Sequence, residues 1–244
     1  MSNISKQTNF TNIPLFKKLQ LIRNLVQISI FILLMAGFYS KIRPGFIILL
    51  PLAFVAGNFF CGWICPFGSA QEFVGKLGSL VLKKKFKSPP FLQKYLQYSR
   101  YLLAVLTLFL ASQTILDLGF LNSYKAFMHS AAGKNITALA LTVMGSFLFI
   151  GMFFERPFCN FFCPEGIRHG LLSLGRIFTI KRAPQTCISC RKCDQICPMQ
   201  IKISTSANLR HAHCINCFKC LSACPVAKTL TYGKVAYKFK KLLK

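Results

Sequence analysis

The chain has 244 residues, of which 53% are hydrophobic and 15% charged, with a mean hydropathy of +0.47. That balance excludes a disordered chain and an ordinary soluble domain, and only five acids (Glu72, Asp117, Glu155, Glu165 and Asp194) leave little scope for a hydrolase built on paired carboxylates. Thirty-one Lys and Arg give a net charge of +26; with so apolar a chain and no helix-turn-helix, zinc-finger or RRM signature, the charge points to an anionic membrane surface and away from nucleic acid.

Four apolar runs are predicted as membrane spans, each near the 17–25 residues, about 30 Å, that a helix needs to cross a bilayer. They cover Arg23–Tyr39, Phe46–Trp63 (with Pro51 inside), Tyr101–Phe120 and Thr137–Phe154. Basic residues divide unevenly between the loops, 27 on one side and four on the other. By the positive-inside rule both termini and the loop Phe67–Arg100, with its lysine run Lys83, Lys84, Lys85 and Lys87, are cytoplasmic, giving a multi-pass protein of the inner (cytoplasmic) membrane. Asp117 (with Gln113 one turn away) and Glu155 sit at span ends, where a solvated helix-end acid explains them better than a proton acceptor for quinol does.

The second and fourth runs end on the same frame. Cys61-Gly-Trp-Ile-Cys65-Pro66 and Cys159-Asn-Phe-Phe-Cys163-Pro164 are both C-x3-C-P and lie 98 residues apart, with Phe60 matching Phe158 and Gly68 matching Gly166. This is an internal repeat of two helical hairpins, with a pseudo-two-fold axis expected along the membrane normal. On a helix, residues i and i+4 share a face, so two such pairs build a four-thiolate site. Spacing leaves its occupant open between an additional iron–sulfur cluster, copper, zinc and a redox dithiol pair.

The last eight cysteines form two C-x2-C-x2-C-x3-C-P blocks, the bacterial ferredoxin run. Because the fourth Cys of such a block serves the other cluster, one [4Fe–4S] is assigned to Cys187, Cys190, Cys193 and Cys224, and the second to Cys214, Cys217, Cys220 and Cys197. In each block the fourth Cys is expected to open a helix leading away. His211 and His213 flank the second block and read as surface loop residues. Short strands at Arg176–Ile180 and Leu230–Tyr237 are expected to flank the cluster helices, and Gly166–Phe178 to lie at the interface. The tail Lys234–Lys244 alternates Lys with apolar residues, as a membrane-surface segment does.

The expected architecture is thus an all-α four-helix transmembrane bundle plus a small α+β ferredoxin-like domain. Its divisions are a cytoplasmic N-tail (1–22), a four-span domain (23–180) and a 2[4Fe–4S] domain with a basic tail (181–244). The motifs Phe60-Cys-Gly-Trp-Ile-Cys-Pro-Phe-Gly68, Phe158-Cys-Asn-Phe-Phe-Cys-Pro-Glu-Gly166 and Cys197-Pro-Met-Gln-Ile201, with Leu21–Gln27 in the first span, resemble the NapH-type membrane polyferredoxins, relatives of the NosR and CcoG types. Chain length favours the compact NapH type over a flavin-bearing NosR type or a CcoG type with added soluble sequence. The resemblance implies an integral membrane electron carrier, of the kind that serves as the membrane subunit of a quinol dehydrogenase, working between membrane quinol and a partner oxidoreductase. Its competitor is an electron donor or copper reductase for metalloenzyme assembly. No catalytic residue is assigned.

Overall fold

The computed structural model describes residues 14–36, 45–82, 123–131, 133 and 135–235, with nine further residues between 91 and 105. Helix α1 covers Pro14–Met35, α2 Gly45–Ala56, a π-helical turn Phe60–Ile64 and α3 Pro66–Leu82. Then come α4 (Ser123–Ala131), α5 (Ala138–Gly151), α6 (Pro157–Phe161) and α7 (Pro164–Leu172). The C-terminal part is β1 (Phe178–Arg182), α8 (Lys192–Gln195), α9 (Lys219–Ala223) and β2 (Leu230–Lys234).

The four-helix transmembrane bundle is not what these elements build. Among the described residues a single helix, α1, is long and apolar enough to cross a membrane, over Lys18–Met35. The second predicted span breaks early. Helix α2 stops at Ala56, because Gly57 takes a left-handed φ of +91°, and the chain re-enters as the π-helical turn. The fourth is the 14-residue α5, too short for a bilayer of ordinary thickness. Most of the third, together with Asp117, the lysine run and the tail beyond 235, lies outside the described residues. The segment assigned to a cytoplasmic loop after Phe67 is instead the amphipathic α3, which packs on α1, α4 and α5.

The small sheet lies close to expectation: β1 and β2 pair antiparallel, Phe178 opposite Lys234 and Arg182 opposite Leu230. It covers a core of Ile180, Met199, Ile201, Ile203, Leu209, Ile215, Phe218, Leu221 and Leu230. The cluster helices differ from expectation. In both blocks the helix precedes the fourth Cys, since α8 contains Cys193 and α9 contains Cys220. Pro198 and Pro225 follow the fourth Cys directly and disfavour helical backbone at it, so the preceding helix ends before the fourth Cys.

The ferredoxin blocks and the C-x3-C-P turns form one packed unit. The Trp63 indole donates to Asn216 O (3.0 Å), Asn216 Nδ2 and Tyr232 Oη both donate to Ala56 O (2.7 and 2.6 Å), and Ile177 N donates to Val55 O (3.0 Å). Phe59, Trp63, Phe218 and Tyr232 meet edge-on and tilted around this joint, with ring centroids 5.1–6.3 Å apart.

Candidate functional site

The duplicated C-x3-C-P frames fold alike. Cys65 N donates to Phe60 O (2.8 Å) and Cys163 N to Phe158 O (3.0 Å), the same i→i+5 bond in each repeat. Such π-type turns occur often at functional sites. Each following Pro starts a helix, where its missing N–H costs nothing. That makes Cys65 and Cys163 N-capping residues, in extended backbone at φ −60° and −74°. Their sulfurs accept from Gly68 N and Gly166 N, each at 3.4 Å. An N–H···S bond at a helix N-terminus stabilises a thiolate. Phe60, Cys65, Phe67, Phe158 and Cys163 pack as one buried cluster, so the two repeats meet. Cys61, Cys65, Cys159 and Cys163 line a single cavity of about 430 Å³, mouth included, with Asn58, His213 and Met199.

The eight ferredoxin-type cysteines line two more cavities. Cys197, Cys214, Cys217 and Cys220 surround one of about 330 Å³, and Cys187, Cys190, Cys193 and Cys224 one of about 380 Å³. Each cavity takes three thiols from one block and the fourth from the other. Met199 and Ile215 line both the 330 Å³ cavity and the C-x3-C-P cavity, so one layer of side chains separates these two sites.

The backbone around the two blocks is strained at matching positions. Ser189 and Arg191 in the first, Asn216 and Phe218 in the second, hold φ of 53°, 55°, 47° and 56°. Left-handed backbone in non-glycine residues is uncommon and costs energy. Alternating right- and left-handed residues turn successive N–H groups inward, a concavity that suits an anion such as an iron–sulfur cluster. Asp194 braces the first block: its Oδ1 accepts from Ile203 N (2.6 Å) and Ser204 N (2.9 Å), and its Oδ2 from Ser204 Oγ (2.5 Å). Asp194→Ala is expected to lower stability by about 2–3 kcal/mol, the worth of hydrogen bonds to a charged group plus the stranded amides, measurable as a lower denaturant midpoint.

The electrostatics ask for negative charge. Burial pushes the Cys65, Cys163, Cys217, Cys220 and Cys224 thiols up, the Cys197 thiol to about 12 and the Cys193 thiol to about 11. Cys187, at the solvent edge, is lowered instead by the Ser189 amide and by Arg182. Buried thiolates therefore need cations or metal beside them. Arg23, Arg156 and Arg176 are almost wholly buried, and Lys219 largely so, yet among the described residues Glu72 is the one buried carboxylate, and it pairs with Arg23, Arg156 and Lys219. Arg176 is held by neutral acceptors, Thr179 Oγ1 (3.0 Å), Asn216 Oδ1 (3.4 Å) and Leu209 O. Uncompensated buried cations are costly. A four-thiolate [4Fe–4S] cluster, with a net charge of about −2, matches this excess. Among the described residues no three His, Cys, Asp or Glu side chains converge on one point as a single metal ion requires. The thiols stand around cavities, the arrangement that a multi-iron cluster needs.

Sequence reasoning missed Glu72 with its cations, and placed His213 wrongly. His213 is only 2% exposed, not a surface residue; it lines the C-x3-C-P cavity and its Nε2 lies 3.3 Å from Tyr101 Oη. Glu155 is half-buried. A usable signal for Glu72 was its place as the lone acid between the first two basic clusters of an apolar chain.

Two ferredoxin-type runs and a duplicated thiol frame, folded around three four-cysteine cavities, define an iron–sulfur polyferredoxin. Comparison with known proteins agrees. A 4Fe-4S binding domain model matches residues 45–89 and again 136–181, and a 4Fe-4S dicluster domain model matches 179–225. An uncharacterized protein of Methanocaldococcus jannaschii is 31% identical over 214 residues, 79% of each chain. The "putative electron transport protein YccM" of Escherichia coli is 28% identical over 71% of this chain and 50% of its own. The ferredoxin-type protein NapH of Escherichia coli is 26% identical over 63% and 52%. No solved structure matches the chain. The chain belongs to the NapH/NosR-like family of 4Fe-4S ferredoxin-type membrane proteins. It binds [4Fe–4S] clusters and serves iron–sulfur electron transfer.

Proposed function

We propose that this protein carries electrons between a membrane quinol and a partner oxidoreductase through three four-cysteine sites. Cys187, Cys190, Cys193 and Cys224 hold one [4Fe–4S] cluster and Cys197, Cys214, Cys217 and Cys220 a second. Cys61, Cys65, Cys159 and Cys163 hold a third across the two repeats. The observation that carries this reading is the grouping of the twelve cysteines into three cavities of four, two of which share Met199 and Ile215 as a wall. A cluster supplies a one-electron acceptor and donor, and the protein keeps two of the sites buried, adjacent and surrounded by cations. The relatives NapH and NosR support a dedicated redox partner, and the basic surface residues Arg191, Lys192 and Arg210 suit an acidic one.

Attachment to the bilayer rests on α1. Only 11% of its Lys18–Met35 window is buried, so it is not a core helix, and Leu21, Ile22, Leu25, Ile28 and Ile32 face outward. Phe73, Leu80 and Val81 on α3 extend the apolar surface. The cysteine-rich half sits on the cytoplasmic side in this reading, where its basic residues meet anionic lipid.

The test is anaerobic. The protein is purified in detergent, iron and acid-labile sulfide are counted, and a reduced menaquinol analogue is added while cluster absorbance is followed, with dithionite as the limit. About twelve irons per chain and bleaching by quinol are expected. Eight irons would remove the third cluster, and bleaching by dithionite alone would remove the quinol. Copper bound at the four C-x3-C-P thiols in place of iron would favour a metal reductase.

A further inference from the structure

One cluster of buried charges among the described residues belongs to neither a thiol site nor the surface. Glu72 on α3 is 5% exposed and pairs with three cations. Its Oε2 accepts from Arg23 Nη2 (2.5 Å) and Arg156 Nη2 (2.8 Å), and its Oε1 lies 3.0 Å from Lys219 Nζ. The cations come from α1, from the turn before α6 and from α9, so elements distant in the chain converge on one carboxylate. Burial alone would raise the Glu72 carboxyl, but Arg156, Lys219 and Arg23 outweigh it and hold the group well below the usual carboxylate range. Glu72 is therefore ionised, and the node carries a net charge of +2.

Each arm of the node reaches a thiol site through the backbone. Arg156 Nη1 donates to Cys61 O (2.7 Å), and Arg23 Nε donates to Gly62 O (2.9 Å). These contacts fix the C-x3-C-P turn. On the other side, Lys219 stands between Cys217 and Cys220 in sequence, and Gln20, which accepts from Arg23 Nη1 (3.3 Å), donates to Cys217 O (2.9 Å). A node built only to join helices would be better neutralised, because excess buried charge is destabilising unless an opposite charge lies nearby. The nearest candidates for that opposite charge are the thiolate sites on its two sides.

We propose that Glu72, Arg23, Arg156 and Lys219 form a charge relay point that sets the redox levels of the C-x3-C-P site and of the Cys197–Cys214–Cys217–Cys220 site together. This rests on the reading that both sites hold clusters. Reduction adds one negative charge to a site. A fixed cation beside it favours the reduced form and a fixed anion the oxidised form, and in a buried setting a unit charge acts at much longer range than in water. Because one node touches both sites, a change of its charge moves both in the same direction and keeps their difference, so electrons pass between them without a growing barrier. The four residues are positioning residues: none supplies a ligand atom.

The experiment is a potential-controlled titration of the intact detergent-solubilised holoprotein, followed by EPR, in wild type and in Lys219→Gln, Lys219→Arg and Glu72→Gln. Lys219→Gln is expected to favour the oxidised form at both sites by about tenfold, a shift of about 59 mV to lower potential for a one-electron couple. Glu72→Gln moves both upward, and Lys219→Arg restores wild-type values. Lys219 is 15% exposed, so its variants keep the test alive where Glu72→Gln fails to fold. Unmoved potentials in a fully iron-loaded Lys219→Gln protein overturn the proposal, as does a shift confined to one site. Failure of the underlying reading looks different: wild-type protein with eight irons per chain has no third cluster to titrate, and the shared control of two sites falls with it.

Discussion

Replacing Cys224 by Ala is expected to release about four irons per chain from the site of Cys187, Cys190 and Cys193 and to leave the site beside Cys214, Cys217 and Cys220 loaded. The intuitive outcome is the reverse, since Cys224 belongs to the second block and lies only four residues after Cys220. The structure puts Cys224 on the cavity of the first block, with Val226, Thr229 and Leu230 beside it. Its helix ends first: α9 stops at Ala223, Pro225 forces extended backbone at Cys224, and the chain turns toward β2. Cys197→Ala is the mirror experiment and empties the other cavity. Cys224 makes the cleaner variant, because it is half-buried while Cys197 lies in the apolar core, where truncation also opens a void. Iron and sulfide analysis reads the number lost, and the EPR spectrum of the reduced protein reads which cluster remains. Loss of the site of Cys214, Cys217 and Cys220 from Cys224→Ala would mean that ligation follows the sequence blocks and not the cavities. Because metal binding contributes folding free energy, the emptied loop, with Ser189 and Arg191 held left-handed, should also become the first place a protease cuts.

The groupings of four were legible in the sequence because cysteine spacing is a short-range signal. C-x2-C and C-P steps dictate local reach and local chain direction, and the 98-residue offset between the C-x3-C-P frames carries the match of Phe60 with Phe158 into equivalent backbone bonds and that of Gly68 with Gly166 into equivalent N–H···S bonds. The two strands were legible within a few residues for the same reason, as short β-prone runs beside punctuating turns. The helical bundle was misjudged because hydropathy counts apolar residues and is blind to where the backbone must turn. Phe46–Trp63 carries no charge and only one strongly polar residue, Asn58, yet its helix stops at Gly57-Asn58, and the Asn58 side chain accepts from Cys61 N (3.2 Å). Glu72 stood out as a lone acid, but its three partners were not legible. Arg23, Glu72, Arg156 and Lys219 are separated by 49 to 84 residues, and no local pattern announces that they meet. The positions of His213 and Met199 on the C-x3-C-P cavity were hidden likewise, since they come from the ferredoxin blocks and reach that cavity only through the tertiary packing.

Gly62→Ala should be among the most damaging changes of a single methyl group in this protein. A Cβ at Gly62 would overlap the carbonyl oxygen of Ile215, which is backbone and cannot rotate aside. Nor can the turn retreat. Gly62 O accepts from both Arg23 Nε (2.9 Å) and Gln27 Nε2 (3.1 Å), so moving it pulls on α1 and on the Glu72 node. On the far side, Ile215 forms part of the wall between two cysteine cavities, and Asn216 is tied to Trp63 and to Ala56. Strain of this kind in a packed contact costs about 2–4 kcal/mol, which for a chain of this size is roughly 5–15 °C in Tm. The matching control is Gly145→Ala on α5, where a Cβ meets nothing within 4 Å and the helix interior gains from the exchange; no loss, or a gain of about 0.5–1 kcal/mol, is expected there. Scanning calorimetry of both variants decides the matter, with iron content as the second readout. If Gly62→Ala melts with wild type and keeps all its iron, the turn has room to move, and the close joint between the C-x3-C-P turn and the ferredoxin blocks does not govern stability. If it melts low and sheds iron from the two cavities that share Met199 and Ile215 before the third, the joint is where the two halves of the electron path are held in register.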